Sequence, residues 1–426
     1  MAVLEYSSPP PKPAHGARLL QLDILRGVAI LLVLFRHPIV YHDSQIKNVG
    51  WWKPLSFILM RFGWTGVDLF FVLSGFLIGG LLFQEIRKTG ALDVKRFLIR
   101  RGFKIWPPYF VLIGFAFLWL IFAWHRSVHS ALSAIAPNLL HLQNYLGTPR
   151  GPTWSLAVEE HFYLALPLFL LAVLYFARRP GRHLKSLRAI PVTAIAVIVS
   201  VTLFRTLYNW NKPFSFRDHV AYTHLRIDGL FFGVLLAYFH HFHADAMARV
   251  GRYRIALLIG GLALLSPMFF LDDSARFCWT IGFTMLYLGY GAILLALVYT
   301  TPGKGVVGSF LTLWPNRAIA WVGFFSYSIY LWQEDLSKTP IQYYLLHRLT
   351  WIPMPLYWPT LEALHLLFAI GAGALMAKLI EIPSIAMRDR LFPARTVKID
   401  QHPVTEHDAE VQTASSTLAI PQKATA

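Results

Sequence analysis

The sequence predicts an all-α fold: a polytopic integral-membrane protein, a bundle of about ten transmembrane helices with both termini in the cytoplasm. Of its 426 residues 56% are apolar and 14% are charged, and no stretch reads as a separate soluble domain. The apolar residues fall in runs of about 20, the length a helix needs to cross a hydrocarbon core about 30 Å thick. The formal charge of +17 lies in short clusters between those runs. There it is accounted for by membrane orientation, and nucleic acid is excluded as a partner.

The elements follow in order. Pro9, Pro10, Pro11 and Pro13 make residues 1–18 a disordered cytoplasmic arm. The first span, near 19–41, is not a signal peptide, because it carries internal charges, lacks a small-residue cleavage site and is followed by further spans. The others are expected near 60–83, 105–124, 158–177, 189–205, 222–241, 255–271, 278–299, 318–334 and 361–381, in a membrane module covering 19–385. Cations follow the even-numbered spans: Arg87, Lys88, Lys95, Arg96, Arg100, Arg101 and Lys104 after the second, and Arg178, Arg179, Arg182, Lys185 and Arg188 after the fourth. The loops around Lys47, Lys53, Arg126 and Arg150 are poorer in them, so loops after odd spans face outward. The polar stretch 386–426 reads as an unfolded cytoplasmic tail. Cys278 is the only cysteine, which rules out an intramolecular disulfide and a cysteine zinc cluster.

Ionisable residues inside the spans mark the chemistry. Arg26 and His37 stand eleven positions apart in the first span, about 20° apart in helical phase and roughly 16 Å in rise, so they share a face. Asp23, one turn before Arg26, can hold it at i,i+3 spacing. A charge at mid-membrane depth costs about 2.5–3.5 kcal/mol on insertion scales, so this face looks inward. Asp68, Glu159, Glu160, His161, Arg226 and Asp228 are expected to turn inward for the same reason. For Asp23, Asp68 and Asp228 a buried ion pair that fixes helix register is the competing account. His37 can accept and release a proton near neutral pH, and a base with a fixed cation lower in the same cavity suits acyl transfer from an anionic carrier. Ser74 and Ser155 lack a Gly-x-Ser-x-Gly elbow and read as packing or capping residues. His240, His241 and His243 with Asp245 read as an interfacial cap, and no metal site is assigned.

These residues sit in blocks that resemble the membrane acyltransferase 3 family. The run Leu22-Asp23-Ile24-Leu25-Arg26-Gly27, ending in His37, is similar to its opening signature. Gly66-Val67-Asp68-Leu69-Phe70-Phe71 with Ser74 and Gly75 resembles its second-span motif, and Arg100-Arg101-Gly102-Phe103-Lys104-Ile105-Trp106-Pro107 its third. Thr153-Trp154-Ser155 through Val158-Glu159-Glu160-His161-Phe162-Tyr163 resembles the fourth. Arg226-Ile227-Asp228-Gly229-Leu230 with Gly233, and Phe325-Ser326-Tyr327-Ser328-Ile329-Tyr330-Leu331-Trp332, match later blocks, all in family order.

The resemblance implies an enzyme of a bacterial cytoplasmic (inner) membrane. It would move an acyl group, most often acetyl, from acyl-CoA to a hydroxyl of a carbohydrate, glycolipid or similar acceptor. Acyl-CoA is a co-substrate there, and no tightly bound cofactor is implied. His37 matches the family's catalytic histidine, acting as base or acyl carrier, Arg26 its paired arginine, and Glu159 a required carboxylate. Arg100, Arg101 and Lys104 could hold the donor's phosphates, although positive-inside orientation accounts for them equally. Asp23, Asp68, Glu160, Arg226 and Asp228 are expected in substrate or structural support. Three departures stand out: Lys104 where arginine is usual, Gln333 where many members have histidine, and Ile382 interrupting the Glu-Lys-Pro ending. The residues after Pro383 are too few and too polar for an added esterase-like domain, so the chain is expected to be the membrane module alone. A secondary transporter is the competing class, but the two halves show no internal repeat.

Overall fold

The computed structural model describes residues 19–37, 52–177, 188–338 and 351–393, with 341, 345, 348 and 349 between the last two blocks. The expectations for the Pro-rich arm, for Lys47, the Lys53 side chain and Arg178 to Lys185, and for the tail beyond 393 lie outside the described residues. Within them the chain is helical and has no strand. The helices are α1 (Leu20–Arg36), α2 (Trp52–Gly63), α3 (Gly66–Thr89), α4 (Val94–Phe122), α5 (Val128–Leu139), α6 (Gln143–Leu146), α7 (Trp154–Ala177), α8 (Ala189–Asn209) and α9 (Thr223–Phe242). They continue as α10 (Ala244–Gly251), α11 (Arg254–Leu265), α12 (Pro267–Phe270), α13 (Phe283–Val298), α14 (Gly305–Leu311), α15 (Trp314–Phe324), α16 (Ser326–Gln333), α17 (Met354–Met376) and α18 (Ile382–Leu391).

Seven helical stretches among the described residues are long and apolar enough to cross a membrane, and an eighth arises if Ala244–Gly251 and Arg254–Phe270, bent by 79°, make one span. That is fewer than the ten expected. The difference lies in α1, which has 17 residues, and in α15 and α16, which are separated by a break at Phe325. At the other extreme, Pro355–Leu391 is one long stretch that passes through a turn of π geometry at Ala377–Glu381 and continues beyond residue 385.

Short-range chemistry sets the turn that collects the cations. α3 ends at Gly90, whose φ of 65° is the left-handed conformation glycine adopts without strain. Three residues later the Asp93 carboxylate accepts a 3.0 Å hydrogen bond from the Arg96 backbone N–H and starts α4. Arg87, Lys88, Lys95 and Arg96 therefore gather at one end of the bundle, the end where α1 begins. This is called the basal end, and the end where α1 stops at Arg36 the apical end.

Close helix crossings bring the site together. A Cβ on Gly75 of α3 would lie 1.9 Å from the Leu230 carbonyl oxygen of α9, and one on Gly323 of α15 would lie 1.9 Å from the Asp23 carbonyl oxygen of α1. Both crossings therefore have backbone against backbone, which only a residue without a side chain permits. Around them the buried apolar faces of α1, α3, α4, α7, α9 and α13 form the core.

Candidate active site

A cavity of about 280 Å³ lies between α3, α4, α7 and α16, with Arg26 reaching into it from α1. Each helix offers one stripe. On α3 it is Val67, Phe70, Ser74, Leu77 and Leu81, and on α7 it is Ser155, Glu159 and Tyr163, each one turn after the last. On α4 the stripe is Arg101, Lys104 and Ile105, and on α16 it is Ser326, Tyr327 and Tyr330. The wall is thus apolar along α3, cationic along α4 and hydroxyl-rich along α7 and α16.

Glu159 is the best-held group in this cavity. Its Oε1 accepts from Ser74 Oγ at 3.0 Å and its Oε2 from the Tyr163 hydroxyl at 2.6 Å, so both oxygens are fixed by side chains from two helices. Ser74 Oγ also lies 3.3 Å from the Tyr163 hydroxyl, closing a triangle. Ser74 thus serves as a hydrogen-bonding anchor for Glu159, more specific than the packing role expected of it. Glu160 turns to a different partner, accepting from the Trp106 indole N–H at 3.2 Å, and still lines the cavity. Tyr327 donates to the Ile105 carbonyl at 2.7 Å and ties α16 to α4.

The three basic residues expected to act together separate. Arg101 and Lys104 line the cavity. Arg100 does not: it reaches Asp389 at 3.1 Å and the Phe392 carbonyl, tying α4 to α18. Arg26 meets Asp23 at 3.2 Å, the i,i+3 pair read from the sequence. His37 caps the apical end of α1 and is not among the residues lining the cavity. Between it and Arg26, on the same face, are the buried Ile30 and Val33. The His37 Nδ1 lies 3.0 Å from the Val33 carbonyl oxygen. A carbonyl only accepts, so Nδ1 carries the proton and Nε2 is the basic nitrogen of the neutral ring.

Asp68, Arg226 and Asp228 lie outside the cavity, in a buried charge network. Arg226 donates to Asp68 at 2.7 Å, and its guanidinium sits 3.5 Å from the centre of the Phe283 ring. Asp228 pairs at 3.0 Å with Arg205, which also donates to the Leu225 carbonyl at 2.6 Å. All four side chains are buried, Arg205 completely, and they join α3, α8 and α9. Buried pairs of this kind are the account that competed with substrate contact for Asp68 and Asp228 in the sequence. Arg205, Tyr163 and Tyr330 were not singled out there; the spacing of Ser155, Glu159 and Tyr163 at i, i+4 and i+8 was the available signal for Tyr163. His240 sits 2.6 Å from the Tyr299 hydroxyl, and among the described residues no three His, Cys, Asp or Glu side chains are grouped to hold a metal ion.

The acyltransferase 3 family model, described as an acyltransferase domain, matches residues 19–380. The chain belongs to this family. The matched residues run from the residue before α1 to the turn at Ala377–Glu381 and include every helix that lines the cavity. The chain is 26% identical over 395 residues to a putative peptidoglycan O-acetyltransferase of Bacillus subtilis, a match covering 86% of this chain and 54% of the relative. It is 26% identical over 342 residues to a peptidoglycan O-acetyltransferase of Listeria monocytogenes, covering 75% and 50%. It is also 28% identical over 345 residues to a putative O-acetyltransferase of Staphylococcus aureus, covering 76% and 51%. The chain spans about half the length of the curated relatives it matches. No solved structure matches it.

Proposed function

We propose that this family member is an integral-membrane O-acyltransferase that moves an acyl group, acetyl in the first instance, from cytoplasmic acyl-CoA to a hydroxyl of an extracytoplasmic carbohydrate or glycoconjugate. The observation that carries the reading is the cavity itself, which combines the cations Arg26, Arg101 and Lys104 with a doubly anchored Glu159. Cations of this kind suit the phosphates of coenzyme A, and the apolar stripe of α3 suits its pantetheine arm. In this reading the basal end, where Arg87, Lys88, Lys95 and Arg96 gather, faces the cytoplasm and the donor. The names of the relatives favour acetyl as the group moved and a wall polysaccharide as acceptor.

His37 serves the acceptor in this reading. Nε2 removes the acceptor hydroxyl proton, the oxygen attacks the thioester carbonyl, and coenzyme A leaves as the thiolate. Alternatively, Nε2 carries the acyl group between donor and acceptor. The rise of roughly 16 Å between Arg26 and His37 gives donor and acceptor distinct ends of one path.

The test is acyl transfer by the purified protein in liposomes, with labelled acetyl-CoA and a soluble glycan fragment. Label is expected on the glycan, and His37→Ala is expected to abolish transfer while expression stays normal. Accumulation of a polar substrate inside vesicles without covalent change would instead make the protein a transporter. Substantial turnover by His37→Ala would remove His37 as the essential group. Mass spectrometry of surface glycans from cells with and without the chain would identify the acceptor.

A further inference from the structure

The large cavity shares one side chain with a smaller neighbour. Tyr330 lines its apical wall, and on the other side of the same residue a second cavity of about 10 Å³ begins, the space of about one water molecule. Among the described residues Tyr330 alone lines both. Three elements order the two cavities. α4 gives Lys104 to the first and Leu112 to the second, and α16 gives Ser326 to the first and Leu331 to the second. The start of α7 gives Ser155 to the first, and the turn before it gives Pro152 to the second. The small cavity is also bounded by the ion pair of Arg150 and Asp335, 2.8 Å apart.

Tyr330 is anchored from both directions. Its hydroxyl donates to the Pro152 carbonyl at 2.6 Å and accepts from Ser155 Oγ, also at 2.6 Å. Its ring meets Phe70 edge-on at 6.4 Å. It belongs to the same buried cluster as Ile30 and Val33, the α1 residues between Arg26 and His37. Buried apolar side chains of that cluster thus stand between Arg26 and His37.

We infer that Tyr330 is the partition of the transfer path: its ring closes the cationic cavity against the apical side, and its hydrogen bonds to Pro152 and Ser155 hold it closed. The consequence for catalysis rests on the acyl-transfer reading above. A thioester in the cavity is shielded from apical water, and the acyl group reaches the acceptor only when the Tyr330 hydroxyl releases Pro152. Without the ring, water attacks the thioester carbonyl, the carbon–sulfur bond breaks, and the products are the free acid and the coenzyme A thiol. Transfer then turns into hydrolysis.

The partition can be tested without turnover. The full-length protein carrying Cys278→Ala has no cysteine, and Leu77→Cys in that background puts one thiol in the large cavity. A small membrane-impermeant methanethiosulfonate is applied to right-side-out and inside-out vesicles. With Tyr330 present, the thiol is expected to react from the basal face only. With Tyr330→Ala, the rate from the apical face is expected to rise at least tenfold while the basal rate stays unchanged. Equal rates from both faces in the parent, or an unchanged apical rate in Tyr330→Ala with a normal basal rate, would overturn the inference. If Tyr330→Ala does not fold, Tyr330→Phe decides, since it keeps the ring and drops both hydrogen bonds. A several-fold apical rise is expected, and none would refute the anchoring. One-sided labelling that opens in the variants, in a protein that never transfers an acyl group, would keep the partition and reject the acyltransferase reading.

Discussion

Tyr163 stands one helical turn after Glu159 on α7, and its hydroxyl donates to Glu159 Oε2 at 2.6 Å while Ser74 holds the other oxygen from α3. A hydrogen bond to a charged group contributes about 1.5–3 kcal/mol, so the two donors fix the carboxylate far better than one would. Tyr163→Phe is expected to lower the acyl-transfer rate by about 10- to 100-fold, and Glu159→Gln to lower it further. Both variants should melt within a few degrees of the wild type. Rates measured at matched amounts of folded protein check this. A Tyr163→Phe enzyme with wild-type rates would show that the orientation of Glu159 is irrelevant to transfer.

The separation of Arg100 from Arg101 yields a sharper test of donor binding. If Arg101 and Lys104 hold phosphate in the cavity, removing either should raise KM for acetyl-CoA by about tenfold, the loss of one charge-assisted contact. Arg100 faces Asp389 on a partly exposed surface, where an ion pair contributes about 0–1 kcal/mol. Arg100→Ala should therefore leave KM within about twofold and change stability little. Lys104→Arg should keep binding or tighten it, because the guanidinium adds a bidentate fork. A steady-state titration of donor against the four variants distinguishes these outcomes. Equal KM effects at Arg100 and Arg101 would contradict the cavity as the donor site.

For the buried network the prediction concerns stability. Removing Arg226 alone leaves Asp68 as an uncompensated charge in the core, a loss of about 3–5 kcal/mol, whereas replacing both partners by apolar residues of similar size is often close to neutral. Arg226→Met should melt well below the wild type in detergent, and adding Asp68→Leu should restore most of the loss. Neither residue lines the cavity, so the double variant should retain transfer per folded molecule. If the double variant falls by the sum of the two single changes, the pair is not acting as a unit.

How much of this was legible follows from how each residue announces itself. Arg26, Glu159 and Asp68 are charges in apolar runs, and such charges must face inward wherever the helices pack. Their partners depend on tertiary contacts that periodicity does not contain. Tyr163 and Tyr330 stand inside the quoted blocks but took no role there, because a tyrosine in a membrane span reads as an ordinary interfacial aromatic until its hydroxyl has a partner. Arg205 was missed for a geometric reason. The apolar run was expected to end there, where an arginine reads as an anchor at the membrane surface, but α8 continues to Asn209 and leaves Arg205 a turn inside. For Arg100 the helix period was not enough: Arg100 and Arg101 stand four and three residues before Lys104, about 40° and 60° from it, and what takes Arg100 out of the cavity is the tertiary contact with Asp389 on α18.

The last prediction concerns acid. His141, between α5 and α6, has φ of 53° and stacks on Tyr109 at 4.9 Å, and neither ring nitrogen has a hydrogen-bond partner among the described residues. Burial, and secondarily the nearby His161, pushes its pKa down to about 4. In the unfolded chain an ordinary histidine titrates near 6.5, so between about 6.5 and 4 the unfolded state binds the extra proton. Stability carried by neutral His141 is therefore complete above that window and is lost as the pH falls through it. His141→Asn removes the titrating ring and keeps a residue type that tolerates positive φ. Its melting temperature should fall less than that of the wild type between pH 7 and pH 4.5, although His161 and other buried histidines will leave part of the acid sensitivity. Thermal unfolding in detergent across that range is the measurement, and parallel curves for the two proteins would exclude His141 as a source of acid instability.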